Sequence, residues 1–136
     1  METHEGLTKA EKIKEFGEVF TPLWIVNQML DELEQSFPDA FLPQTTYLEP
    51  TCGEGVFVCE ILRRKFERCK NKQDFRTAIR SIYAFEIQPD NVEKTISAVI
   101  ELSRQFKPTK EDIQIITDHI IQADALKVMK LLKEVE

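Results

Sequence analysis

The stretch YLEPTCGEGVFV, residues 47–58, places two of the chain's four glycines directly after a short apolar segment that contains an acid. The segment predicts a buried strand, and Gly53 and Gly55 predict a tight turn that leads into a helix. A strand, a glycine turn and a helix in this order are typical of parallel α/β folds that bind a ligand at the first turn. Taken alone, the two glycines could equally form an ordinary tight turn that binds no ligand.

Apolar residues at helical spacing surround two further short β-like segments. Thr21 is expected to cap the helix after FTP, with Pro22 at its first position. Trp24 of this helix is expected in the core. Helices are expected at about residues 8–16, 21–37, 55–70, 74–80, 90–106, from 109 onward and 125–134, and strands within 46–50, 81–90 and 119–124.

This order predicts one α/β domain over residues 1–136, with a three-stranded parallel sheet, flanking helices and right-handed crossovers. The expected architecture is a partial Rossmann-like fold. Residues 1–40 form an N-terminal helical segment in this interpretation, and residues 41–136 form the strand-helix units. The 42% apolar composition is enough for a single core.

The composition narrows the possible functions. A net charge of −6 argues against a domain that holds nucleic acid through phosphates by itself. The three cysteines have no paired C-x-x-C spacing, which disfavours a disulfide framework or a zinc site. The polar N-terminus and the lack of a long apolar run predict a cytoplasmic protein without membrane contact. A basic run at 63–72 is expected to be a solvated helix face, with a DNA-facing role as the alternative.

The three expected strands end in acids: Glu49, Glu86 and Asp124. Ligands of open parallel sheets bind at the carboxyl ends of the strands. One such acid is usually a loop residue or a helix cap, whereas three at equivalent positions favour a ligand site.

The glycine turn does not match the known phosphate-binding loops. Val58 stands where the dinucleotide fingerprint has its third glycine, and no Gly-Lys-Ser/Thr follows. Glu49 and Glu54 would also repel a pyrophosphate. S-adenosyl-L-methionine fits better, because it carries a sulfonium, an ammonium, a ribose diol and an adenine amine. Another adenosine-containing ligand is the weaker alternative.

Four segments in order resemble motifs X, I, II and III of the amino-methylating DNA methyltransferases, in the adenine-N6 group of restriction-modification systems. The likeness covers about residues 17–126 and implies the methyltransferase version of the Rossmann-like fold. The four segments are GEVFTPLWIVNQMLD, YLEPTCGEGVFV, YAFEIQPDNV and IIQADAL.

The resemblance implies a role for each matched residue. The methionine part of the cofactor would contact the segment at 20–22 and the first turn, with Glu49 near the ammonium. Glu86 would bind the ribose hydroxyls and Ile87 the adenine face, while Asp124 would accept from adenine N6. The implied cofactor-binding residues are Phe20, Thr21, Pro22, Glu49, Thr51, Gly53, Gly55, Glu86, Ile87, Asp124, Ala125 and Leu126.

The family's catalytic Asn/Asp/Ser-Pro-Pro-aromatic motif is absent, since the sequence contains no Pro-Pro dipeptide. No target-recognition region is recognisable either. We therefore expect the cofactor-binding part of a methyltransferase, inactive alone, which meets DNA through a remainder of the enzyme or a partner chain. The alternative is a non-catalytic cofactor-binding or assembly module. Self-association is expected through the unpaired edge of the first strand.

Overall fold

The computed structural model describes residues 21–50 and 53–135. Within these ranges six α-helices accompany one three-stranded sheet. The helix expected at 8–16, together with Phe20 and Thr51, lies outside the described residues. The elements are α1 Leu23–Ser36, β1 Tyr47–Glu49, α2 Val56–Glu67, α3 Lys72–Arg80, β2 Ile82–Glu86, α4 Pro89–Leu102, a 3-10 helix Ser103–Phe106, α5 Lys110–His119, β3 Ile120–Gln122 and α6 Ala125–Val135.

The sheet is parallel throughout and has the strand order β1-β2-β3. Glu49 of β1 lies opposite Ala84 of β2, and Glu86 of β2 lies opposite Gln122 of β3. All three carboxyl ends therefore meet at one edge of the sheet. The predicted α/β class, the parallel sheet and, over residues 21–50 and 53–135, the order of strands and helices are confirmed.

The two faces of the sheet differ because side chains alternate along a strand. Ile82, Ala84 and Ile120 are buried in one core with apolar residues of α1 to α5. Leu48 and Tyr83, which are paired in the register, point to the other face and are 49% and 46% exposed. The core thus lies on one side, and the opposite face stays partly open.

Two predictions about α1 are wrong. Pro22 occupies the N-cap position rather than the first helical position, and its carbonyl accepts from the N–H groups of Ile25 and Val26. Thr21 therefore lies one position before the cap. Trp24 is 67% exposed and not in the core, because the buried face of α1 carries Val26 and Leu30. Trp24 lies about 200° around the helix from Val26.

The basic run is also not simply a solvated face. Lys65 is fully buried, and its Nζ donates to the carbonyls of Leu42 at 2.9 Å, Pro43 at 3.2 Å and Thr45. Burial lowers the pKa of the Lys65 ammonium to about 8, while the carbonyl acceptors favour its charged form. Arg64 is buried too and pairs with Asp31 of α1 at 2.8 Å. These side chains connect α2 with α1 and with the loop between α1 and β1.

Replacing Lys65 by methionine is expected to lower the free energy of unfolding by about 2–4 kcal/mol, because three carbonyls lose the buried donor that they share. Denaturant unfolding measures the change. The control is Lys70→Met at an exposed position of the same run, where we expect a change within about 0.5 kcal/mol. Equal effects of the two substitutions would contradict a special role for Lys65.

Candidate functional site

The Glu86 carboxylate is the centre of the edge where the strands end. It is 5% exposed, and its Oε1 accepts from the N–H of Gly53 at 3.1 Å. Its Oε2 accepts from the N–H of Gln88 at 2.7 Å. One side chain thus joins the glycine turn after β1 to the loop after β2. These bonds compensate for the burial of a negative charge, which is costly in an apolar interior.

The glycine turn is also held from the side by α4. Gly53 and Gly55 have positive φ angles of 53° and 91°, a region that favours glycine. The buried Thr95 donates from Oγ1 to the Gly53 carbonyl at 3.3 Å. A Cβ atom at Gly55 would lie 2.8 Å from Thr95 Cγ2, whereas a Cβ at Gly53 would meet nothing within 4 Å. Gly55 is therefore required both for its backbone angles and for the close approach of α4.

Sequence reasoning missed Thr95. The signal was present, because Thr95 follows Val92 by three positions and precedes Val99 by four, which places it on the apolar stripe of α4. A single hydroxyl on such a stripe indicates a specific partner. The partner itself, the glycine turn, could not be found from helical spacing.

The loop after β3 is bonded to the same edge. The N–H of Ala123 donates to the Glu86 carbonyl at 3.1 Å, and Gln122 Nε2 donates to the Ile87 carbonyl at 3.4 Å. Asp124 is partly buried, and its Oδ1 accepts from the N–H of Leu126 at 3.0 Å. Asp124 therefore caps α6 in this structure, which is the common role of an acid after a strand.

Apolar side chains flank this polar edge. Ile87 is 56% exposed and Leu126 is 78% exposed, while Ala125 is buried. Glu49 lies at the carboxyl end of β1 and is partly buried. The structure thus brings together the turn, Glu86 and the loop of Asp124. Thr21 and Pro22 lie just before α1, where the methionine role implied for them stays a prediction.

A second feature that sequence reasoning missed is a group of buried polar side chains at the start of α4. Gln88, Asp90 and Asn91 are 2%, 7% and 0% exposed. Together with Glu86 and Thr95, they make five buried polar residues in a ten-residue stretch. Buried polar groups are normally hydrogen-bonded, so such a cluster indicates a local network of polar contacts.

Metal binding and thiol chemistry have no visible basis in the described part of the chain. No group of three or more His, Cys, Asp or Glu side chains within 21–50 and 53–135 is arranged to hold a metal ion. Burial raises the pKa values of Cys59 and Cys69 to about 11, which keeps both thiols protonated near neutral pH. Among the described helices, none is both long and apolar enough to span a membrane.

No protein-family model, curated protein or solved structure matches the chain. The resemblance to DNA methyltransferases therefore depends on the four short motifs. It stays a prediction.

Gly55→Ala is expected to lower the free energy of unfolding by about 2–3 kcal/mol, because the new methyl group meets Thr95 and φ stays positive. Gly53→Ala strains only the backbone angle, so it should lower the free energy of unfolding by about 1 kcal/mol. Denaturant unfolding of both variants tests the difference. The double variant Gly55→Ala, Thr95→Ala should be more stable than Gly55→Ala alone, because the new methyl group no longer meets Thr95. If the losses of unfolding free energy in the two single variants simply add in the double variant, the contact between Gly55 and Thr95 is contradicted.

Proposed function

We propose that the chain binds S-adenosyl-L-methionine at the carboxyl end of its sheet, as the cofactor-binding part of a DNA adenine-N6 methyltransferase with a partial Rossmann-like fold. The hydrogen bond from Gly53 to Glu86 is the observation that supports this best. It joins the glycine turn of the first strand and the acid of the second strand into one site. The cofactor needs both elements, because its methionine part would bind the glycine turn and its ribose would bind Glu86.

The charges of the site suit this ligand. Glu49 and Glu54 give the first turn a negative environment, which attracts a sulfonium and an ammonium and repels phosphates. A carboxylate has about four acceptor positions, so Glu86 is chemically suited to accept from ribose hydroxyls as well as from backbone donors. Ile87 offers an exposed apolar side chain for the adenine face.

The loop after β3 completes the adenine end in this proposal. Asp124 uses Oδ1 to cap α6, and a capping carboxylate still has acceptor capacity on its other oxygen. That oxygen is proposed to accept from adenine N6. Ala125 and the exposed Leu126 would line the ring.

Methyl transfer and DNA binding are assigned to other polypeptide segments. The net charge of −6 disfavours a strong grip on phosphates, and the sequence has no Pro-Pro dipeptide for the catalytic motif. Several basic side chains of the run at 63–72 are engaged inside the domain. Arg64 and Arg68 pair with acids of α1, and Lys72 pairs with Asp112 of α5.

Calorimetry with S-adenosyl-L-methionine, S-adenosylhomocysteine and ATP tests the cofactor. We expect the first two to bind and Glu86→Ala to weaken them about 10- to 100-fold, through loss of charge-assisted hydrogen bonds. Glu101→Ala, which removes an exposed acid near the other end of α4, should change affinity less than about threefold. Preferential binding of ATP would refute the proposal. Unchanged affinity in a folded Glu86→Ala chain would refute it as well.

An assembly module is the second candidate, and a groove on the open side of the sheet favours it. A cavity of about 450 Å³ lies between Leu48 of β1 and the apolar side of α6. Among the described strands, β1 pairs with β2 and stands at the end of the strand order β1-β2-β3. Leu126, Met129, Lys130, Leu132 and Lys133 complete the lining.

We propose a second copy of the chain as the occupant of this groove. A two-fold axis would bring the same groove of two copies together, so the exposed Leu48, Leu126 and Leu132 of one copy would be covered by those of the other. Such pairing would cover both copies of Leu48.

Sedimentation at rising protein concentration tests this interface. We expect a concentration-dependent dimer, which Leu132→Lys weakens by at least about tenfold, because the new charge would be buried at the contact. Leu131→Lys is the matched control, since Leu131 is exposed on the same helix but does not line the groove. A clean monomer at high concentration would rule the interface out.

A further inference from the structure

The Gln88 side chain is the least explained group near the proposed cofactor site. It is 2% exposed, and within the described residues neither its Oε1 nor its Nε2 has a hydrogen-bond partner. A buried amide without partners opposes folding, because it has given up its bonds to water. Such a group is either paired with a molecule that binds there or tolerated at a cost to stability.

Helix capping does not explain Gln88. It occupies the N-cap position of α4, directly before Pro89, yet its side chain makes no capping bond. Caps are normally short side chains that reach back to the first N–H groups of the helix, and glutamine is not among the preferred residues. A serine or an aspartate would serve the cap better. The choice of an amide therefore calls for another reason.

The position of Gln88 connects it with Glu86. Its own N–H donates to Glu86 Oε2 at 2.7 Å, so the side chain starts directly beside that carboxylate. Glu86 and Gln88 are both buried, whereas Ile87, at the bend that follows β2, is exposed. The carboxylate and the amide therefore both belong to the buried part of this loop.

The two side chains have complementary chemistry. An ionised carboxylate only accepts hydrogen bonds, whereas a primary amide both donates and accepts. A hydroxyl group needs an acceptor for its proton and a donor for its oxygen. A carboxylate beside an amide therefore satisfies a hydroxyl fully, and vicinal hydroxyls are the feature of ribose.

We propose that Gln88 is a second ribose-binding side chain, whose Nε2 donates to the oxygen of a hydroxyl that donates to Glu86. This assignment rests on the proposed cofactor function and adds to it a residue that determines specificity for ribose over deoxyribose. The amide is held buried before the ligand arrives, so it needs little ordering on binding. Its unmet hydrogen bonds in the ligand-free chain are the corresponding cost in stability.

The test is Gln88→Met, which keeps the length of the side chain and removes the amide. Two measurements should move in opposite directions: the denaturation midpoint of the ligand-free chain stays equal or rises, and affinity for S-adenosylhomocysteine falls about tenfold, the loss of one buried hydrogen bond. The control is Gln114→Met on the exposed side of α5, which should leave affinity unchanged. A variant that merely unfolds the site would lose both stability and affinity.

The 2′-deoxy and 3′-deoxy forms of S-adenosylhomocysteine identify the hydroxyl. One of the two analogues lacks the hydroxyl that Gln88 contacts. The wild-type chain and Gln88→Met should bind that analogue equally well. If the variant weakens both analogues as much as the parent ligand, the amide contacts a part other than ribose and the assignment is overturned.

The outcomes separate this assignment from the cofactor proposal itself. A wild-type chain that binds neither S-adenosyl-L-methionine nor S-adenosylhomocysteine overturns both. A wild-type chain that binds, with full affinity retained in Gln88→Met, overturns only the role of Gln88. In that case a buried water molecule is the partner of the amide, and the substitution should lower stability.

Discussion

The buried Glu86 carboxylate, bonded to two backbone N–H groups, is the interaction on which the proposed site depends. It draws the Gly53 turn against the end of β2 and orders the start of the loop through Gln88. The Glu86 carbonyl also receives the N–H of Ala123, so the loop after β3 is joined to the same residue. Three loops that are far apart in sequence thereby meet at one residue.

At this edge of the sheet, several residues are not those that would stabilise the fold best. The polar residues at the start of α4 are buried together, an arrangement that an apolar core of the same size would avoid. At the same time Ile87 and Leu126 are exposed, where burial would stabilise the fold. Such departures from the arrangement that is best for folding are typical of functional sites. The rest of the domain follows the ordinary rule, with its apolar residues in one core.

Predictions of burial from local sequence were wrong for residues whose neighbours in space are distant in the chain. A run of arginine and lysine on a helix indicates a solvated face, yet Lys65 is fully buried because three carbonyls of the preceding loop surround its ammonium. Trp24 has the composition of a core residue, yet the buried stripe of α1 passes through Val26 instead. Both errors concern which side of a helix is covered, and the covering elements are distant in sequence.

The class of the fold, the three strands and the acids at their ends could be predicted from the amino-acid pattern alone. These follow from periodicity, from turn residues and from the rule that strands joined by helices run parallel. The hydrogen bond between Glu86 and Gly53, 33 residues away, and the contact of Thr95 with the same turn became visible only in the folded chain. Hydrogen bonds and close contacts between distant residues depend on how the helices pack on the sheet. A pattern along the chain fixes neither the distance nor the direction of such a contact.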